Sequence, residues 1–261
     1  AIAVPDWLAA MDEVINQHHA LVVGGRVEKY FDEGYTPPDW FNYRYLLNHF
    51  GVNYRDMGKK EKIFRVRYPL DLPGGNTAYA RRLFDHFGGF RADLGRVGKA
   101  LLAGEETFLN LILDHNDIPM YYSDDVYIYH HVGADRMQKP HLRKRAYWSG
   151  VTSAQVNALF FGYEETYTKT SSKWRELYRL LEAIVKNRGS AETFSRHCQL
   201  FFLMAYLVKS YWEFAKYKLS RQKYTPPQQI TWTTLHWIEE IGRWPESEEK
   251  YERLYQLFLA A

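Results

Sequence analysis

Residues 73–90, PGGNTAYARRLFDHFGGF, followed by GEETFL at 104–109 and VYIYHH at 126–131, carry most of the fold information in this 261-residue chain. Gly74-Gly75 marks a turn at which backbone can approach another group closely, since glycine has no Cβ. Tyr79, Leu83, Phe84 and Phe87 then recur at helical spacing, and Gly88-Gly89 supplies the stop. Glu105 and Glu106 open a second helix, where the helix dipole favours negative charge, with Phe108, Leu109, Ile112 and Leu113 on its inner side. Two strands are predicted next, near 119–122 and 126–131. In the second, Val126, Ile128 and His130 share one face, and Tyr127, Tyr129 and His131 the other.

Working outward, Asp6 is placed to cap a helix bearing Trp7, Leu8, Met11 and Ile15. Leu21-Val22-Val23 reads as a short buried strand, stopped by Gly24-Gly25 and resumed at Val27. Residues 29–60 read as an irregular surface segment centred on Pro37-Pro38-Asp39-Trp40, and Lys62 to Tyr68 as an edge strand. From about Lys139 the pattern is helical throughout. Trp174, Leu177, Tyr178, Leu181 and Ile184 form one apolar stripe, Gly189-Ser190 breaks it, and a longer helix runs from about 191 to 219. Further helices are predicted over 230–241 and from Pro245 onward. The expected fold class is α/β: a mixed sheet with flanking helices over 1–138, followed by an all-helical region over 139–261.

Hydrophobic residues at 46% and charged residues at 25% describe a globular chain, and a formal charge of +3 argues against an extended nucleic-acid footprint. Cys198 is the single cysteine, which excludes an intrachain disulfide and a multi-cysteine zinc site and fits a reducing, cytoplasmic setting. The longest apolar run, Leu200 to Val208, is too short to span a bilayer and ends at Lys209. No signal peptide is visible; the start at Ala1, without methionine, leads to the expectation that something upstream has been removed or left out. The aromatic content of 17% suits core packing and also sugar platforms.

Several residues suit chemistry as well as structure. Glu105-Glu106 is ordinary at a helix start, yet a carboxylate there can act as general base toward a hydroxyl. Consecutive helical residues point about 100° apart, so only one of the two would face a reaction. His130, ending a strand, is either structural or a ligand for a divalent ion; His131 lies on the opposite face. Asn76 can donate and accept hydrogen bonds beside the glycine turn. Arg136, Lys144 and Arg145 bring positive charge, within a basic run 141–145 that reads equally as a solvated helix face.

Taken in order, GGNTAYARRLFDHFGGFRADLG, GEETFL, IPMYYSDDVYIYHHV and RKRAYWSG resemble the acceptor half of a family 2 (GT-A fold) glycosyltransferase. The likeness covers about residues 1–153 and includes VPDWL at 4–8, VGGRV at 23–27 and Pro38-Asp39-Trp40. It implies an inverting, nucleotide-sugar-dependent transfer of a sugar to an acceptor hydroxyl. Glu106 takes the place of the family's catalytic aspartate, and Glu105 that of the acidic residue before it. His130 matches a strand-end histidine that ligates metal (Mg or Mn) in some members. Gly75 and Asn76 match the loop lining the sugar site, with Trp40 and Arg136 as further substrate contacts. The implied partners are a nucleotide-sugar donor and a sugar or lipid-linked acceptor, with peripheral membrane contact. Glutamate in place of aspartate is one departure. The other is that nothing matches the family's donor-binding half, which ends in Asp-x-Asp, so the chain is expected to be inert alone.

Two rivals stand beside this reading. One is a non-catalytic module whose helix around 200–217 binds a partner or membrane surface, with Phe201, Phe202, Tyr211, Trp212 and Phe214 beside Lys209, Lys216 and Lys218. The other is a metal-dependent hydrolase using His130, His131, Asp124, Asp125 and Glu106.

Overall fold

The structure, a computed structural model, describes residues 1–42, 62–67, 72–96, 98–187, 192–220 and 223–227. Its elements in chain order are β1 (Ile2–Ala3), α1 (Trp7–His18), β2 (Val22–Tyr30), β3 (Ile63–Val66), β4 (Thr77–Tyr79), α2 (Arg81–Phe87), α3 (Glu105–His115), β5 (Met120–His131), α4 (Lys139–Phe161), α5 (Tyr163–Lys186) and α6 (Thr193–Ser220). Short 3₁₀ turns lie at Asp39–Asn42, Gly74–Asn76, Ala92–Leu94 and Ala134–Met137. The helices predicted over 230–241 and from Pro245 fall outside the described residues.

The sheet is built around β5. β2 runs parallel to it on one side, and β4 pairs antiparallel with the outer edge of β2. On the other side β3 pairs antiparallel with the first part of β5, and β1 with the second. Helices cover both faces, so the chain is mixed α/β. Alternation along the strands divides the core. Val22, Met120 and Tyr122 pack with Leu83 of α2 and Leu109 and Leu113 of α3. Val23 and Val126 pack with Met11 and Val14 of α1.

Two sequence expectations change at the sheet. Gly24-Gly25 does not stop the strand; β2 runs through it. The two strands predicted at 119–122 and 126–131 are one strand with a bulge. Gly25 pairs with Ser123 and Arg26 with Tyr127, so Asp124, Asp125 and Val126 have no opposite residue in β2. A Cβ on Gly25 would lie 1.9 Å from the Val126 carbonyl oxygen, a close approach that only glycine permits. An odd number of extra residues also reverses the alternation: Tyr122 faces α2 and α3, while Val126, also at an even position, faces α1. His130, four residues beyond Val126, takes its side from this reversal.

Asn76 holds the bulge together. Its carboxamide, 1% exposed, donates from Nδ2 to the carbonyl oxygens of Arg26 (3.0 Å) and Val126 (2.9 Å). Its Oδ1 accepts from Trp7 Nε1 at 2.8 Å. One side chain therefore ties both strands of the bulge to the first turn of α1. Asp6 makes no side-chain cap on that helix, contrary to expectation; its carbonyl receives the Ala10 N–H instead.

Lys139 begins the helical part, and the core runs across that point. Phe41 and Val132 pack with Met137, Leu142, Ala146, Phe194 and Cys198, joining the end of β5 to α4 and α6. Burial pushes the Cys198 thiol up to about 12. Val156 of α4 packs against Leu94 and against Phe108, Leu111 and Ile112 of α3. Of the stripe predicted on α5, only Leu177 is buried, against Leu203 and Leu207 of α6. Trp174, Tyr178 and Leu181 are exposed, because α6 covers just one edge of that stripe. Among the described residues, no helix is long and apolar enough to cross a membrane.

The bulge gives a stability test. Asn76→Ala should cost about 2–4 kcal/mol, since two buried carbonyls and an indole N–H lose partners at once. Asn76→Asp should cost more, because it sets a carboxylate against two carbonyl oxygens. Urea unfolding followed by circular dichroism reads both midpoints, and the order Asn > Ala > Asp in stability is the expected result.

Candidate functional site

The site forms where the 3₁₀ turn Gly74–Asn76 meets the first turn of α3. The two adjacent glutamates diverge, as helix geometry requires. Glu105 turns back on its own helix start, where Oε2 accepts from Gly104 N at 3.0 Å. Glu106 turns toward the glycine turn. A Cβ on Gly74 would lie 2.6 Å from Glu106 Oε1 and 2.9 Å from its Cδ, so the carboxyl group lies flat against that glycine. Gly75, next along, has open space on its Cβ side. Glu106 is half-buried, neither sealed in the core nor fully solvated.

This carboxylate is electrostatically coupled to a group of cations through Arg145. Burial lowers the Arg145 pKa, and the neighbouring positive charges of Arg96 and Arg136 lower it further, against the opposing pull of Glu106 and Glu105. Arg145 Nη1 is buried without a hydrogen-bond partner. His130 senses the same charges: burial depresses its pKa first, followed by Arg136, His131 and Arg145 among others. Its Nδ1 is buried and without a hydrogen-bond partner. The imidazole is thus held neutral near pH 7 within a cationic neighbourhood. His141 is lowered by burial too; Asp135 opposes the shift, and Arg136, Arg145 and Lys144 add to it.

The predicted site residues fall into separate places. Glu106 and Gly75 lie together at the turn, and His130, Arg136 and Arg145 are electrostatically linked to one another. Glu105 is turned back to the Gly104 N–H. Asn76 is beside Glu106 in the chain path, yet its carboxamide is occupied by Arg26, Val126 and Trp7, so it shapes the turn rather than presenting groups to a ligand. Trp40 sits elsewhere. Its ring meets Phe41 and Phe194 edge-on, with centroids 6.4 and 4.8 Å apart, and Lys139 Nζ lies 5.6 Å from its centroid. It packs the joint between β5 and the helices, which leaves it a poor sugar platform. Arg96 is a site residue that sequence reasoning missed; its only signal was a cation in the glycine-flanked stretch after GGF.

The residues of the hydrolase rival are not brought together. His131 Nε2 lies 2.7 Å from Asp32 Oδ1 on an exposed face. Asp124 Oδ1 accepts from Tyr122 OH, and Asp125 pairs with Lys62 at 3.6 Å. Among the described residues, no group of three or more His, Cys, Asp or Glu side chains is placed to hold a metal ion. His130 is one imidazole set among cations, which with burial lower its pKa.

Compared with protein-family models, curated proteins and solved structures, the chain matches none. The arrangement of Glu106, the glycine turn and the cation group is thus read on its own chemistry.

The histidines give a pH test. His130 and His141 both have folded pKa values below the ordinary 6.5. Between those lowered values and 6.5 the unfolded chain binds more protons, so stability rises with pH across that window. Their contribution is present above about pH 6.5 and is lost on acidification through the folded values. Thermal melts from pH 7.5 down to about 5.5 should show a falling Tm. The double variant His130→Asn/His141→Asn should show a shallower fall than the native chain.

Proposed function

We propose that this chain is the acceptor-side portion of an inverting, nucleotide-sugar-dependent glycosyltransferase with a GT-A-like, family 2 organisation. The observation that carries the reading is the pairing of two features around the start of α3. A carboxylate rests on an open glycine turn, and the buried Arg145 couples it electrostatically to Arg96 and Arg136 and, beyond them, to His130.

The chemistry of sugar transfer asks for that pairing. Glu106 takes the proton from an acceptor hydroxyl as its oxygen attacks the anomeric carbon. The bond from that carbon to the donor's diphosphate breaks on the opposite face, which inverts the centre. The proton finishes on Glu106 and the electron pair on the leaving diphosphate. Arg96, Arg136 and Arg145 supply positive charge toward that leaving group, and the desolvated Arg145 acts more strongly than it would in water. The open side of Gly75 gives the acceptor sugar room to approach. In this reading the donor-binding half lies outside residues 1–261. A divalent ion belongs to the complete enzyme, with ligands besides His130 that the described residues do not supply.

Kinetics on the whole enzyme test the assignment. Glu106→Gln should lower kcat about a thousandfold with the donor KM little changed, the pattern for loss of a general base. Glu105→Gln, which removes a charge from the first turn of α3 without touching the turn at Gly74, should cost under about 1 kcal/mol of stability and leave kcat within a few-fold. Equal losses in the two variants, or full activity in Glu106→Gln, would overturn these roles. Donor turnover by residues 1–261 alone would overturn the placement of the donor site.

A further inference from the structure

The outer surface of α5 and α6 is apolar to a degree that a solvated face does not explain. On α5, Tyr167, Trp174, Tyr178, Leu181 and Val185 fall on one side at spacings of three, four and seven, and are 38–71% exposed. On α6, Phe201, Met204, Val208, Tyr211, Trp212 and Leu219 fall on the side away from α4 and are 39–83% exposed. The two stripes meet: Trp174 Nε1 donates to Tyr211 OH at 3.0 Å, and the Tyr167 and Tyr211 rings lie edge to face with centroids 5.3 Å apart. α6 is therefore apolar both toward the core, through Leu203, Tyr206 and Leu207, and toward solvent. A helix of that kind is normally covered on both sides.

Area and charge together indicate the cover. At about 200 Å² for a full large side chain, these partial exposures come to roughly 1,200 Å² of largely apolar surface. Ordinary monomers carry largest patches of about 300–600 Å², whereas a stable interface needs about 800 Å² from each partner. A bilayer surface is the weaker fit. All six lysines of α5 and α6 are matched to glutamates: Lys169 to Glu165, Lys173 to Glu176, Lys186 to Glu182, Lys209 and Lys216 to Glu213, and Lys218 to Glu164. Lys209 and Lys216 share one carboxylate, and Arg175 and Arg179 make no ion pair among the described residues, so about three positive charges are left over, short of the cluster of about four or more that draws a face to anionic lipid. An uncharged apolar stripe on an antiparallel helix pair is complementary to its own copy, since two such pairs close into a four-helix arrangement around a two-fold axis.

We propose that the outer face of α5 and α6 is the contact surface of a homodimer. Sedimentation velocity on the full chain should find a dimer at micromolar concentration. Met204→Glu/Val208→Glu should weaken association about a hundredfold or more, because it buries two charges in the contact. Both positions are solvent-exposed in the single copy, so the variant should keep the native circular dichroism spectrum. Leu8→Glu, which removes an exposed leucine from α1, should leave the dimer intact and serves as control. A monomer at every concentration would overturn the proposal. Association unchanged in the double variant would do so too, as would a monomeric chain that floats with phosphatidylcholine–phosphatidylserine vesicles; that last result would assign the face to lipid.

Discussion

The carboxamide of Asn76 is the contact on which the sheet and the site both depend. A bulge in β5 leaves carbonyl oxygens pointing away from any ladder partner, and unpaired buried carbonyls are costly. One planar group with two donors and an acceptor satisfies the Arg26 and Val126 carbonyls and the Trp7 indole together. Because Asn76 ends the turn that begins at Gly74, the same contact fixes where that turn meets α3. The bulge in turn reverses the alternation of β5 and so decides which way His130 looks. A single side chain thereby sets the relative placement of the turn, Glu106 and the strand end.

Charge at the site is organised by exclusion as much as by attraction. Glu105 and Glu106 attract Arg145, while Arg96 and Arg136 repel it. Among acids outside α3, Asp135 acts on His141, while Asp93 pairs with Arg91 and Asp32 with His131. The neutral state of His130 follows from burial and from the same excess, because a protonated imidazole would add to the repulsion.

How much of this was legible beforehand depended on the range of the interactions. GEETFL announced a helix start with one carboxylate turned outward, since both facts follow from local geometry. The mixed sheet and flanking helices were readable from alternating and helical periodicities in 119–131 and 79–113. The continuity of β2 through Gly24-Gly25 was not, because a glycine pair reads as a turn until the Val126 carbonyl, a hundred residues away, is seen pressing on it. Asn76 likewise looked like a ligand-facing amide, and only partners 50 and 69 residues distant reveal its task. On α5 and α6 the apolar periodicity was plain; which edge of each stripe the neighbouring helix would cover was not, since that depends on how the two helices cross.

Cys198 has a practical side. Its sulfur is enclosed between α4, α6 and the end of β5, and stays a protonated thiol at neutral pH. Maleimides and disulfide reagents act on exposed thiolates and should pass it by. Since the chain holds no other cysteine, a single one introduced on the surface would be the sole anchor for a fluorophore or spin label, with the native sulfur left in place.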